Sequence, residues 1–374
     1  TETTEPVQHF VKIKEGDDYS PIFVDQVSIV SGSVFGFANE IWHPMKNALV
    51  YVKDHPEFGY TRTDNDGNWT MIVNGGPAYV FVFEREGFLS AQRSVKTEWE
   101  MAHEIEMITM VYEAPSIGSI DLSSGTTQFV DAPNQGYDGR GERRATIVVS
   151  PGTEAYAVSR DGTFEILENI TVRLTEYTKA ARSAMPAPLP AGVAYTYCSE
   201  LTVDEAPDAK SIVFSKPVYY YLDNFLGFPV GTAIPNGSFN RDASAWEAQN
   251  DGVVIGIVSI KERTDGTKVA EIDINGDGIA ETPGVLFNDI EITDDELQLL
   301  AQKYEGWVLA HGQITLWRVP IVHFSPCDLN LLGISNGAME PEFNADLNEK
   351  EPVDCESTTG GSIIGCESRT LKKK

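Results

Sequence analysis

The sequence predicts a mostly β protein, built as tandem β-sandwich domains with one short helix near residues 293–304. Three observations predict it. Short runs of β-branched and aromatic residues recur along most of the chain. Clusters of Gly, Pro, Asn and Asp separate them, the residue types that tight turns require. One segment combines helical periodicity with a start signal. At 374 residues the chain exceeds one ordinary domain and fits two or three, each able to bury a core.

Residues 1–26 form an N-terminal segment ahead of the first sandwich, which spans 27–112. Its strands are read at 27–37 (VSIVSGSVFGF), 48–52 (ALVYV), 68–73 (NWTMIV) and 78–84 (AYVFVFE). Turn clusters lie between them: His43 to Asn47 with Pro44, Asp54 to Gly59, and Asp64-Asn65-Asp66-Gly67, whose Asp-Gly step suits a tight hairpin. In AYVFVFE both alternating sets, Ala78/Val80/Val82 and Tyr79/Phe81/Phe83, are apolar, so both faces of this strand should be covered.

Residues 113–185 read as a second β domain, with strands at 145–150, 155–159 and 170–178. Pro186, Pro188 and Pro190 form a stiff connector to a third β-rich domain over 186–330, with strands at 210–225 and 252–260. The helix sits in this third domain. Thr293 can cap it, Glu296 completes a T-x-x-E capping box, and Leu297, Leu300 and Ala301 recur at helical spacing. Residues 331–374, rich in Asn, Glu, Gly and Pro, read as a linker or tail.

Charge narrows the function classes. With 56 acidic against 28 basic residues, the formal net charge is -28. Such a surface repels phosphate backbones and anionic membrane faces, which argues against nucleic acid as a partner. It suits cations, or simply solubility in a salty extracellular medium. No run of about 18 apolar residues is present to span a bilayer. Thr1 to Phe10 lacks the basic and apolar parts of a signal peptide, so the expectation is either a cytosolic chain or one whose signal has been removed. Cys198, Cys327, Cys355 and Cys366 show no zinc spacing; Cys355 and Cys366 flank a Gly/Ser/Thr-rich stretch and suit a short disulfide loop, which favours an oxidising compartment.

Chemistry concentrates in DINGDGIAE at 273–281. Asp273, Asn275 and Asp277 place oxygen ligands at positions 1, 3 and 5 of a calcium loop, Gly278 allows the turn at 6, Ile279 offers its carbonyl at 7, and Glu281 stands at 9. Position 12 is Gly284, so a further ligand must come from elsewhere, with Asp289 a candidate. The competing reading is an Asp/Gly-rich hairpin turn whose carboxylates face water. No catalytic residue is assigned. GISNG at 333–337 matches G-x-S-x-G, but an acidic, Pro-containing segment follows it rather than a helix. The six histidines form neither HExxH nor HxH, and His323 in an apolar run reads as a core residue. Tyr219, Tyr220, Tyr221, Phe225, Phe228 and Trp246 read as packing, with a glycan or peptide groove as the alternative. N-x-S/T sequons occur at Asn68, Asn169 and Asn236.

One combination is more specific than these patterns. HPEFG at 55–59, the turn and strand at 64–73, NGG at 74–76 and EGFLSAQRSV at 86–95 resemble a carboxypeptidase regulatory-like, or transthyretin-related, domain. The form is similar to the one near the start of bacterial Rhs or YD-repeat proteins. The likeness continues through ITVRLTEYT at 170–178, AMPAPLPAGVAYTYCSELTVDEA at 184–206 and FSKPVYYYLDNFLGFPVGTAIPNGSFNRDASAWE at 214–247. DINGDGIAE, LWRVPIVHFSPCDLN at 316–330 and GGSIIGCESRTL at 360–371 extend it to most of residues 28–371. In that family the last segment leads into a YD-repeat array forming a hollow shell, and teneurins place a transthyretin-related domain and a plug domain beside such a shell. No array precedes Lys374, and QGYDGRG at 135–141 is a single echo of the repeat, so the expectation is a fragment, a cleavage product or a free-standing version of the head region.

The resemblance implies a secreted or cell-surface, non-enzymatic head and plug, with residues 186–330 plug-like and a YD-repeat shell as partner, supporting shell closure, toxin delivery or cell contact. The alternative is a free-standing adhesion module that binds a cell-surface protein or glycan, or self-associates. Calcium is the cofactor the Asp-rich loop would take.

Overall fold

The computed structural model describes residues 26–39, 41–132, 143–178, 180, 182–189, 196–281 and 292–329. Its first eight strands are β1 (Val27–Ala38), β2 (Ile41–Pro44), β3 (Leu49–Val52), β4 (Tyr60–Arg62), β5 (Asn68–Asn74), β6 (Ala78–Glu84), β7 (Ala91–Lys96) and β8 (Ala102–Val111). β1 pairs antiparallel with β5 along its first half and β2 along its end, and in parallel with β8 on its other side. The opposing sheet runs β4-β3-β6-β7. Alternation closes the two into a sandwich, with Val30, Val34, Trp69, Met71 and Ile108 of one sheet meeting Val50, Phe81 and Phe83 of the other. Phe81 and Phe83 are fully buried, and each such ring contributes about 1.5–3 kcal/mol of transfer free energy.

The outer face of β6 is covered only toward its end: Val82 is buried and its cross-strand neighbour Gln92 donates to the Arg241 carbonyl at 3.1 Å, whereas Val80 is half-buried and Ala78 exposed, short of the full cover its double apolar pattern suggests. The Asp64–Gly67 turn differs from the expected hairpin. Asp64 Oδ1 accepts the Asp66 and Asn68 N–H groups at 2.9 and 2.8 Å, and Gly67 takes φ 81 with the Val34 carbonyl 2.3 Å from where a Cβ would stand. The turn nevertheless carries the chain from β4 in one sheet to β5 in the other. The reason is burial: Trp69, Met71 and Val73 reach the core only when β5 joins β1.

The remaining strands are β9 (Ser116–Asp121), β10 (Gln128–Asp131), β11 (Ala145–Val149), β12 (Ala155–Val158), β13 (Phe164–Leu167), β14 (Asn169–Glu176), β15 (Cys198–Val203), β16 (Ser211–Asp223), β17 (Ala233–Ile234), β18 (Gly237–Asn240), β19 (Ala245–Ala248), β20 (Gly252–Glu262), β21 (Lys268–Asp273), β22 (Ile314–Phe324) and β23 (Pro326–Asp328). One sheet orders β10-β11-β16-β22-β20-β17, with β12 also on β16, β13 on β12 and β21 on β20. The facing sheet orders β19-β18-β23-β15-β14-β9. The boundary expected between 185 and 186 is corrected by this pairing. β11 and β12 hydrogen-bond to β16, and β14 to β15, so strands from both sides of the proline stretch share the same two sheets. Ile147 and Leu174 from one side also share a core with Leu201 and Trp317 from the other. Strands of 113–185 left alone would expose unpaired edges and apolar faces, which this pairing closes.

Helix α1 (Asp294–His311) runs past the expected end at 304 and stops at Gly312, with φ 88. It forms a third layer over one end of the larger sheet, packing Leu297, Leu300, Ala301, Tyr304 and Val308 against Ile255, Ile257 and Ile272. A separate apolar cluster joins the sandwiches: Phe37, Leu89 and Val111 of the first meet Tyr177, Met185, Cys198, Phe239 and Trp246 of the second.

Candidate functional site

The Asp-rich loop follows β21. Asp273, only 1% exposed, accepts the N–H groups of Asn275 (3.1 Å) and Gly276 (2.7 Å) on Oδ1 and that of Gly278 (2.9 Å) on Oδ2. Asn275 Oδ1 accepts from Asp277 N and Asp277 Oδ1 from Ile279 N, each at 2.8 Å, while Glu281 Oε2 accepts from Ile274 N at 2.8 Å. Gly276 and Gly278 supply the left-handed backbone angles that wind the loop this tightly. Both Asp273 oxygens, Asn275 Oδ1, Asp277 Oδ1 and Glu281 Oε2 are therefore engaged by the loop's own backbone.

Calcium requires six to eight converging oxygen ligands. Among the described residues no group of three or more His, Cys, Asp or Glu is placed to hold a metal. Glu281 Oε1 is buried without a hydrogen-bond partner, the one feature of the loop that a cation would satisfy. Gly284 and Asp289 lie outside the described residues. As placed, Asp273, Asn275, Asp277, Ile279 and Glu281 form a self-capped turn.

The most developed polar chemistry lies elsewhere, in buried ion pairs. Thr293 caps α1 by accepting from Glu296 N at 3.3 Å. The Glu296 carboxylate does not return to the helix start as a capping box would have it. It is 1% exposed and points into the core, where Arg318 donates to both its oxygens at 2.9 Å and Tyr221 donates its hydroxyl. The Arg318 guanidinium also stacks on Tyr219 at 3.6 Å. In the larger core Arg143 donates to Glu176, with neither side chain exposed. On the second sandwich's side of the junction, Arg241 reaches Glu200 through two bonds at 3.1 and 2.8 Å and Tyr177 donates to the same carboxylate, while Arg241 Nε, 3.3 Å from Ser90 Oγ, crosses to the first sandwich. Burial, followed by the neighbouring carboxylate, pushes the Tyr177 and Tyr221 hydroxyls far above the usual phenol range. They stay neutral donors.

Arg93 completes this junction. It donates to the carbonyls of Ser183 at 2.9 Å and Met185 at 3.1 Å, so the first sandwich grips the segment ahead of the proline stretch. Burial pulls its pKa down to about 10, which leaves it protonated at neutral pH. Sequence reasoning missed every one of these pairs. The ion-pair partners lie 22 to 41 residues apart, as in Arg318–Glu296, Arg143–Glu176 and Arg241–Glu200.

The aromatic run is mostly packing: Tyr220, Tyr221 and Trp246 are buried, and Phe225 and Phe228 lie against Trp317 with centroids 5.5 and 5.6 Å away. His323 is partly buried on β22, with Nδ1 lacking a hydrogen-bond partner, and burial lowers its pKa. Cys198 and Cys327 are buried free thiols, and burial pushes both up out of the reactive range. Asn68 and Asn169 are exposed, whereas Asn236 is 2% exposed and donates to the Asn250 and Pro320 carbonyls. Ser335, Cys355, Cys366 and the 135–141 segment lie outside the described residues.

With this geometry in place, the comparisons bear on the first sandwich. A family model described as the Teneurin TTR-like domain matches residues 24–110. Teneurin-3 of Mus musculus is 31% identical over 104 residues, 28% of this chain and 4% of that protein. Teneurin-4 of Homo sapiens is 31% identical over 81 residues, 22% of this chain and 3% of that protein. Teneurin-3 of Danio rerio is 33% identical over 97 residues, 26% of this chain and 4% of that protein. The chain therefore spans only a few per cent of the length of these relatives. Among solved structures, a DUF3823 family protein from Parabacteroides merdae matches 53% of this chain and 90% of that one at 9% identity and a TM-score of 0.16, too low to carry an argument. The eight-stranded unit is thus similar to the transthyretin-like domain of teneurins, in agreement with the transthyretin-related reading of 27–112.

Proposed function

We propose that this chain is a non-enzymatic structural head of a secreted or cell-surface protein, in which the teneurin-like sandwich and its larger neighbour act as one rigid body. Its partner is a YD-repeat shell, which the larger sandwich plugs, and the assembly serves contact or delivery. The observation that carries the reading is the junction. A transthyretin-like sandwich matched over residues 24–110 is joined to a second unit by an apolar cluster, by the Arg93 contacts and by the Arg241–Ser90 bond. Hydrogen bonds made across a desolvated junction favour a single, stiff arrangement.

The test is to produce the chain together with the polypeptide encoded after residue 374. A YD-repeat product is expected, eluting with this chain as one particle in gel filtration. Separate elution, or an encoded product without YD repeats, overturns the plug role. A second reading, a binding module acting without a shell, is favoured by one surface described next.

A further inference from the structure

The outer face of the larger sheet is covered at one end and bare at the other. Odd-numbered residues of β16 point to it: Tyr219 and Tyr221 lie under the α1 layer, while Val213 at the other end is 37% exposed. From Val213 a row of directly paired residues crosses the sheet to its edge, Val213 beside Tyr156 on β12 and Tyr156 beside Ile166 on β13. Phe164, also on β13, packs edge-on against Tyr156 with centroids 5.8 Å apart. Ile166 is 60% and Phe164 68% exposed, although the opposite faces of these strands bury Ala155, Ala157, Ile212 and Leu167 in the core. This apolar strip ends at an open edge, because β13 pairs only with β12 among the described residues.

Native edge strands are blunted by shortness, charged side chains, prolines, bulges or covering loops. β13 is short and carries one charge, Glu165, but Phe164–Leu167 hold no lysine, proline or bulge, and its paired register with β12 is regular over all four residues. Its surroundings are acidic: Asp161, Glu165 and Glu168 are all exposed, against Arg160 as the basic residue of the hairpin. A second copy of this chain, at net charge -28, would bring like charge to like. We propose that β13 is a docking edge for an extended segment of another polypeptide, one that alternates apolar and basic side chains. Its apolar residues lie beside Phe164 and Ile166, its basic residues beside Glu165 and the flanking carboxylates, and its backbone continues the sheet.

A fluorescein-labelled peptide alternating valine and lysine, titrated into the full chain at low salt, tests this by fluorescence anisotropy. Saturable binding is expected, weakened about tenfold or more by Ile166→Lys and by Glu165→Lys, both exposed substitutions whose folding is checked by thermal melting. The valine–glutamate counterpart should not bind, and N-methylation of alternate peptide amides should abolish binding because sheet extension needs those donors. No saturable binding, equal binding of the two peptides, or binding indifferent to Ile166→Lys and to N-methylation overturns the proposal.

Discussion

Glu296 shows how one residue can satisfy a local rule and serve a distant one. Its backbone N–H receives the Thr293 cap, but its carboxylate belongs to Arg318 and Tyr221. The two roles differ in magnitude. Losing a capping contact costs about 1 kcal/mol, whereas removing one partner of a buried ion pair costs about 3–5 kcal/mol because the other charge stays buried. Glu296→Ala is therefore expected to lower unfolding free energy in urea by about 3–5 kcal/mol, and Thr293→Ala by about 1 kcal/mol. Near-equal effects would return Glu296 to the cap. The T-x-x-E spacing shows where the helix begins, but not where its carboxylate goes, since Arg318 comes close only once β22 has paired with β16. Tyrosines add a pH dependence. Tyr177, Tyr197 and Tyr221 have hydroxyls raised by burial, so the folded state keeps their protons where the unfolded state loses them. Stability is complete below the unfolded value near 10 and falls as pH rises above it. Tyr197→Phe should flatten that decline in denaturant titrations from pH 9 to about 11.

At the scale of elements, the Asp-rich loop and the first-sandwich strands were legible to different depths. Expected runs at 27–37, 48–52, 68–73 and 78–84 became β1, β3, β5 and β6, because alternation and β-branched content report directly on a half-buried strand. Turn chemistry was equally visible at Asp64 and Asp273, but the function of a turn was not. Asp-x-Asn-x-Asp-Gly suits both a metal and a set of backbone N–H groups, and only the folded loop shows Asp273 occupied by Asn275, Gly276 and Gly278. Two measurements follow. Millimolar calcium should leave the melting temperature unchanged, since a ligand of the native state must raise it. Asp273→Ala should cost about 1–2 kcal/mol with or without calcium, as three part-buried hydrogen bonds to its carboxylate are lost. A calcium-dependent rise would support the metal reading and assign the orphan Glu281 Oε1 to it.

The whole molecule turns on the stretch that sequence read as a divider. Pro186 and Pro188 do stiffen the chain, but stiffness at a connector also makes a firm surface to grip, and the structure uses it so. Gln92 N donates to the Pro186 carbonyl at 2.7 Å, and Arg93 donates to the Ser183 and Met185 carbonyls. Long-range pairing across a proline stretch leaves no local periodicity, which is why residues 113–185 and 186–330 looked like separate domains. The same contacts set the cooperativity of unfolding. Hydrogen bonds from a charged group contribute about 1.5–3 kcal/mol each when their acceptors are buried, so the Arg93 bonds to the Ser183 and Met185 carbonyls hold the junction by an amount approaching a small domain's margin of stability. The full chain is expected to melt in a single calorimetric transition. In Arg93→Ala, the first sandwich should separate as an earlier transition, its own core of Val30, Phe81 and Phe83 being untouched. A single transition that merely shifts to lower temperature would instead assign the coupling to the apolar cluster of Phe37, Leu89, Met185 and Trp246, and a junction held by apolar area alone would lose the fixed orientation on which a plug depends.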